Sequence, residues 1–392
     1  MATKLALTTA PSGGAQSGVA FAQQPVVQLQ DANGNSVSES GTTVTAVIAT
    51  GPGGAALTNA TAVTGTTGAA AFSGLAINGP AGDYTLTFEA TNLTPVPSGT
   101  ITLSAASTAT TITGHTQDPS VVGQGIAVTF TVTSNSGTPS GDVTVSDATD
   151  SCTGTVAAGT CTLTPTTAGA KTLIATYAGN TNFSTSASPG TPHTVNPAGT
   201  ATSIAGHSRD PSVTGESVTF TFAVAVNPPG SGTPTGTVTV SDGTQSCEAS
   251  VAAGSCSIAF SSAGVRTVTA SYAGDASFNS SASSPVTQTV NQAPTATTIA
   301  SVSPEPSTFG LPITVAFSVT SDGGTPTGQV TVSDGTVGCT ATVTDGSCSF
   351  IPLATGDEVL VATYGGDANF LTSDSVPVHH TVNLVPGPTS SR

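Results

Sequence analysis

Apolar and polar residues alternate with a period of two over many short stretches of the chain. Ile126, Val128, Phe130 and Val132 fall on one side of such a stretch, and Ala127, Thr129, Thr131 and Thr133 fall on the other. Successive side chains of a strand point to opposite faces, so this spacing predicts a strand with one buried face and one hydroxyl-lined, wetted face. The same frame returns at Val218, Phe220, Phe222 and Val224, and again at Ile313, Val315, Phe317 and Val319. Val143 and Val145, then Leu173, Ala175 and Tyr177, extend the pattern, with counterparts at Val238, Val240, Val268, Ala270 and Tyr272. About seven such strands in roughly 92–95 residues are what a two-sheet antiparallel sandwich requires. No stretch reaches the length of about 18 apolar residues that a membrane-spanning helix needs, so membrane insertion is not expected.

The pattern is copied. Cys152 and Cys161 return 95 residues on as Cys247 and Cys256 (152 to 247), and a further 92 on as Cys339 and Cys348 (247 to 339), always nine apart. Tyr177-Ala178-Gly179-Asn180-Thr181-Asn182-Phe183 returns at the same offsets as Tyr272-Ala273-Gly274-Asp275-Ala276-Ser277-Phe278 and Tyr364-Gly365-Gly366-Asp367-Ala368-Asn369-Phe370. Between these markers lie Thr138-Pro139-Ser140-Gly141, Thr233-Pro234-Thr235-Gly236 and Thr325-Pro326-Thr327-Gly328. A fixed period of this kind means a repeated folding unit. It predicts repeats over 107–197, 198–292 and 293–385, joined at Asn196-Pro197-Ala198-Gly199 and Asn291-Gln292-Ala293-Pro294. Short Pro-bearing joints limit bending. Residues 1–106 contain no Cys and do not fit the template, but share its size and strand-turn rhythm, and are expected to form a fourth, divergent unit. Residues 386–392 offer nothing to bury and are expected to be a flexible tail.

Composition narrows the partners. Of 392 residues 36% are hydrophobic and only 7% charged, and 21 acids against 5 bases give a formal net charge of −16. Phosphate binding works through Lys and Arg that release counterions, so nucleic acid is not an expected partner, and an anionic membrane surface is disfavoured for the same reason. The 45 Gly and 26 Pro, with no Trp, suit short strands and turns and leave little that could form a long helix. The first residues, Met1 to Thr8, lack the 7–15-residue apolar stretch of a secretory signal. Export is therefore expected through a signal already removed or by another route.

The string Gly-Thr-Pro-x-Gly, Val-Thr-Val-Ser-Asp and Tyr-x-Gly-Asp-x-x-Phe resembles bacterial immunoglobulin-like repeat domains, which stand in tandem on secreted and surface proteins. In residues 1–106, Val26-Val27-Gln28-Leu29-Gln30-Asp31-Ala32-Asn33-Gly34-Asn35 and Gly82-Asp83-Tyr84-Thr85-Leu86-Thr87-Phe88 resemble the immunoglobulin-like domains of invasin- and intimin-type adhesins. The resemblance implies an all-β fold of four tandem immunoglobulin-like sandwiches in an elongated array. It also implies a non-enzymatic stalk, adhesin or filament on a bacterial surface, whose partner is a protein or glycan. No receptor-binding tip domain of the adhesins is recognisable. Virion decoration on a phage and a glycan-binding appendage of a larger enzyme are the alternatives such domains also serve.

In a chain with that extracellular resemblance, Cys152–Cys161, Cys247–Cys256 and Cys339–Cys348 are expected as three intradomain disulfides, each across a hairpin. Zinc ligation is the rival reading, but no CxxC is present. Asp147, Asp242, Asp334, Asp275 and Asp367 could gather calcium, yet Asp at such turns more often bonds its own backbone, and Asn180 replaces the carboxylate in one copy. No metal and no cofactor are expected. His115 and His207 occupy equivalent places that read as solvated loop positions, Val302 stands in the third, and His379 and His380 must face opposite sides of a strand. Tyr177, Tyr272 and Tyr364, with Phe183, Phe278 and Phe370, are expected in core or corner roles rather than as sugar platforms. Lys4 and Lys171 are too few for a Lys–Asn crosslink in every domain. No Gly-x-Ser-x-Gly, His-Glu-x-x-His or phosphate-loop motif is present, so no catalytic residue is expected. Self-association through edge strands is expected to involve the first strand, around Leu5 and Leu7.

Overall fold

A computed structural model describes residues 1–384, and among them every regular element is a strand. In the first Cys-bearing repeat, Thr108–His115, Ile126–Ser134 and Thr160–Leu163 form a three-stranded sheet in that order. Facing it, Ser120–Val121, Thr191–Asn196, Gly169–Tyr177, Asp142–Ser146 and Ser151–Thr155 lie side by side, with Ser186–Ala187 on the long central strand. All neighbours run antiparallel except Ser120–Val121, which is parallel to Thr191–Asn196. The chain thus crosses from one sheet to the other within its first strand pair, as in immunoglobulin-type sandwiches. The other two repeats have the same order.

The alternation seen in the sequence is the alternation of burial. Ile126, Val128, Phe130 and Val132 are buried, and meet Val143, Val145, Leu173, Ala175 and Tyr177 of the facing sheet in one core. Each fully buried Val, Leu or Phe contributes about 1.5–3 kcal/mol. The Thr residues between them point to water and pair across strands, as Thr144 with Thr153 at 3.3 Å and Thr331 with Thr340 at 3.1 Å.

Residues 1–106 share this topology despite their different sequence. Lys4–Thr9, Val26–Gln30 and Ala69–Ala71 form the three-stranded sheet. Gly14–Gln16, Ile101–Ser104, Gly82–Glu89, Thr43–Thr50 and Thr61–Val63 form the other, and Ala56–Thr58 with Ala76–Asn78 adds a small ribbon. The first strand lies at the edge of its sheet and pairs inward, with Leu5 opposite Leu29 and Leu7 opposite Val27, and Thr94 meets the start of its outer side through a bond from Leu5 N at 3.0 Å. By contacts the chain divides into two units, each with two sandwiches: Met1–Ala198 with Pro229–Gly232, and Gly199–Pro228 with the chain from Thr233 onward. The expected tail, 386–392, lies outside the described residues.

Candidate functional site

The cysteines occupy the free edge of each of the three repeat sandwiches. The Sγ atoms of Cys152 and Cys161 are 2.08 Å apart, those of Cys247 and Cys256 2.06 Å, and those of Cys339 and Cys348 1.98 Å. The partners do not lie across a hairpin. Cys152 stands on Ser151–Thr155, paired with Asp142–Ser146, whereas Cys161 stands on Thr160–Leu163, paired with Ile126–Ser134 in the facing sheet. The tight turn between them changes sheets, so each disulfide ties the two layers together at their rim.

The acidic turns are closed on themselves. Asp242 Oδ1 accepts from Thr244 N at 2.9 Å and Gln245 N at 2.7 Å, and Asp334 Oδ1 accepts from Thr336 N and Val337 N, both at 2.8 Å. Asp147 does the same with Thr149 N and Asp150 N. Asp275 is more fully used: Oδ1 accepts from Ser277 N and Phe278 N, and Oδ2 from Thr235 N and the Thr235 hydroxyl. Burial pushes its carboxyl up, but these donors outweigh it and hold the pKa down at about 2. Such carboxylates brace their turns.

The tyrosines are buried corner posts. Tyr177 donates to Ser140 O at 2.7 Å, and Tyr84 to Pro80 O at 2.8 Å. Burial, and then the carboxylates of Asp275 and Asp367 beside them, push Tyr272 and Tyr364 up to about 12. Phe183, Phe278 and Phe370 are also buried, so none of these rings offers an open platform.

The histidines are placed differently from the loop positions expected. His115 ends the strand Thr108–His115, where a bulge between Ile112 and Gly114 shifts the register and sets His115 opposite inward-facing Val128. Without that extra residue the alternation starting at Ile112 would have aimed His115 at solvent. His193, on the closing strand of the facing sheet, is buried, and its ring meets that of His115 edge to face at 5.0 Å. Asp118, in the segment between the two sheets, places Oδ1 3.4 Å from His193 Nδ1 and accepts from Thr194 N at 3.0 Å. His193 Nε2 is 2.8 Å from Ser120 Oγ. Burial pushes the His193 imidazole down, toward the neutral form, against the pull of Asp118. The strand partner of His193, Lys171, aims its Nζ at Asp147, Thr149 and Thr167.

The same corner is filled differently in the sister repeats. In the second, Gln288 replaces His193 and meets His207 Nδ1 at 2.6 Å, and its Nε2 donates to Ser212 Oγ at 3.3 Å. In the third, Val302 replaces the first histidine, and His380 is bonded by Glu305 through Nδ1 and Ser307 through Nε2. His379 faces outward and pairs with Asp357 at 2.7 Å.

A family model described as bacterial Ig-like domain (group 3) matches residues 112–196, 205–291 and 300–383. No curated protein matches the chain in sequence. Among solved structures, the Yersinia pseudotuberculosis adhesin InvE is similar at 17% identity over 53% of this chain and 68% of that one, with a TM-score of 0.30. The Escherichia coli adhesin FdeC shares 14% identity over 74% and 98%, with a TM-score of 0.23. The three N-terminal domains of the bacteriophage RB49 Highly Immunogenic Outer Capsid protein share 13% over 71% and 99%, with a TM-score of 0.21.

Proposed function

The chain belongs to the bacterial Ig-like domain (group 3) family, and from that premise we propose that it is a non-enzymatic stalk segment of a bacterial surface protein, holding an adhesive partner away from the cell. One observation carries the reading: three family domains in direct succession each have a disulfide joining the sheets at the rim, a covalent brace suited to an oxidising exterior. Turn carboxylates engaged by their own backbone, buried tyrosines and Thr-lined outer faces fit a module that provides reach and solubility. Where such a module binds, we place the partner's chemistry in protein or glycan rather than nucleic acid, because the net charge is −16.

Location and reach are tested together. Antibody against the chain should label intact, unpermeabilised cells of its host, and protease added outside should remove the label. Small-angle scattering of the purified chain should give a maximum dimension of about 150 Å, from four units with strands of about 10 residues at ~3.4 Å each. Labelling that requires permeabilisation would overturn the surface assignment. A much smaller dimension would overturn the stalk.

A further inference from the structure

The polar corner of the first repeat differs from its two copies in what it leaves unsatisfied. One nitrogen of His115, one of His193 and one carboxylate oxygen of Asp118 lie within 4.8 Å of one another. The Nδ1 atoms of both histidines are buried and have no hydrogen-bond partner. His193 Nδ1 faces Asp118 Oδ1 at 3.4 Å without making a hydrogen bond to it. The sister repeats pair the corresponding ring nitrogens within the protein: the Gln288 side-chain oxygen meets His207 Nδ1 in one, and the longer Glu305 reaches His380 Nδ1 in the other.

We propose that His115, Asp118 and His193 form a binding site for one first-row transition-metal dication, zinc foremost, in the first repeat. Two imidazoles and one carboxylate are a donor set that suits zinc, nickel or copper better than calcium, which prefers oxygen alone. Bonds of about 2.0–2.1 Å in a tetrahedral shell put ligand atoms ~3.3 Å apart. The His193–Asp118 edge already has nearly that length, at 3.4 Å. Asp118 is exposed and His115 half-buried, and closing the remaining edges from within 4.8 Å would take rotation of these two side chains. Ser120, bonded to the far nitrogen of His193, is the outer partner that fixes ring and tautomer in histidine metal sites. No free thiol competes, since the cysteines are paired. His115 belongs to one sheet and His193 to the other, so the ion would join the two layers at the pole remote from the disulfide rim.

The test is calorimetric titration of the chelator-treated full chain with zinc chloride, alongside thermal melts. We expect one ion per chain at micromolar affinity and a rise of several degrees in one melting transition, reversed by EDTA. His193→Gln and His115→Val install residues that the sister repeats carry at these positions, and each should weaken binding at least tenfold. Asp118→Asn keeps an oxygen for Thr194 N and should weaken binding as well, which separates loss of a ligand from loss of the fold. Absence of stoichiometric binding, or equal affinity in the His115→Val/His193→Gln double variant, would overturn the site.

Discussion

Asp275 and Asp367 spend both carboxylate oxygens on their own turn and on the Thr-Pro-Thr-Gly loop facing it, while Asn180 supplies the same turn contacts without a charge. The consequence is a dependence on pH that differs between copies. A carboxyl whose folded pKa is depressed adds stability that is present above its unfolded value and is lost as pH falls through the folded one. For Asp275 that window runs from 3.8 down to about 2. Allowing for solvent screening, the contribution is about 1 kcal/mol. Asp275→Asn should therefore lower the melting temperature less at pH 2, where about half of the wild-type folded carboxyl is already protonated and most of the contribution is lost, than at pH 6; equal losses at both pH values would refute the linkage. A second difference lies beside the other acidic turn. Asp147 is buried with Lys171 at 3.7 Å and Asp242 with Arg266 at 4.0 Å, yet the register position of those cations is Glu358 in the third repeat. Removing one partner of a buried pair leaves an uncompensated charge and costs about 3 kcal/mol. Lys171→Met is expected to destabilise the first repeat by that amount in denaturant melts. Glu358→Lys should instead stabilise the third, because Asp334 Oδ2 is buried there with no hydrogen-bond partner.

At the scale of the strand, alternation carried most of the information. Ile126 to Val132 and their copies point inward as their spacing requires, because a period of two fixes which face each side chain joins. Two features depended on contacts the spacing does not encode. The nine-residue gap between cysteines fits a hairpin and a sheet-changing turn equally well. What decides is that Ser246–Ser250 pairs with Thr237–Ser241, whereas Ser255–Ala259 pairs with Ser217–Val226 across the sandwich. His115, Asp118 and His193 come from opposite ends of a repeat, and a bulge reverses the face of the first, so no local motif announces their meeting. The cross-layer disulfide makes a prediction a hairpin clamp would not. Replacing Cys247 and Cys256 by Ala should cost about 2.5 kcal/mol on the chain-entropy model. Amide exchange should quicken first in Ser246–Ser250, which is then held only by its inner neighbour. Uniform exchange across both sheets would argue against the rim as the weak point.

Across joined sandwiches, the contacts that matter are made by backbone at glycine. In the unit that begins at Gly199, the linker residue Ala293 is bound on both sides, its N–H donating to Asn369 O at 2.8 Å and its carbonyl accepting from Leu371 N at 2.9 Å. The Asn369 side chain in turn accepts from Ala263 N of the preceding sandwich at 3.0 Å. Gly323 closes the joint: a Cβ there would sit 2.4 Å from Thr214 O and 2.5 Å from the Ala293 methyl. Contacts that close cannot be absorbed by a flexible side chain, since one of the atoms is a main-chain carbonyl, so even Ala must push the two sandwiches apart. In tandem-repeat proteins stability is approximately a sum of intrinsic and nearest-neighbour terms, and this substitution should act on the second kind. Gly323→Ala is expected to remove about 1–3 kcal/mol of coupling, the usual cost of overpacking, while each sandwich keeps its own core. Calorimetry of the full chain should show the melting of the second and third repeats drawing apart, with the summed enthalpy little changed. Asn369→Ala, which deletes the bridging bond without adding volume, should move the thermogram the same way by a smaller amount. If both variants melted like the parent, the glycine joint would bear no load, and any limit on bending between these two repeats would rest on the linker proline alone.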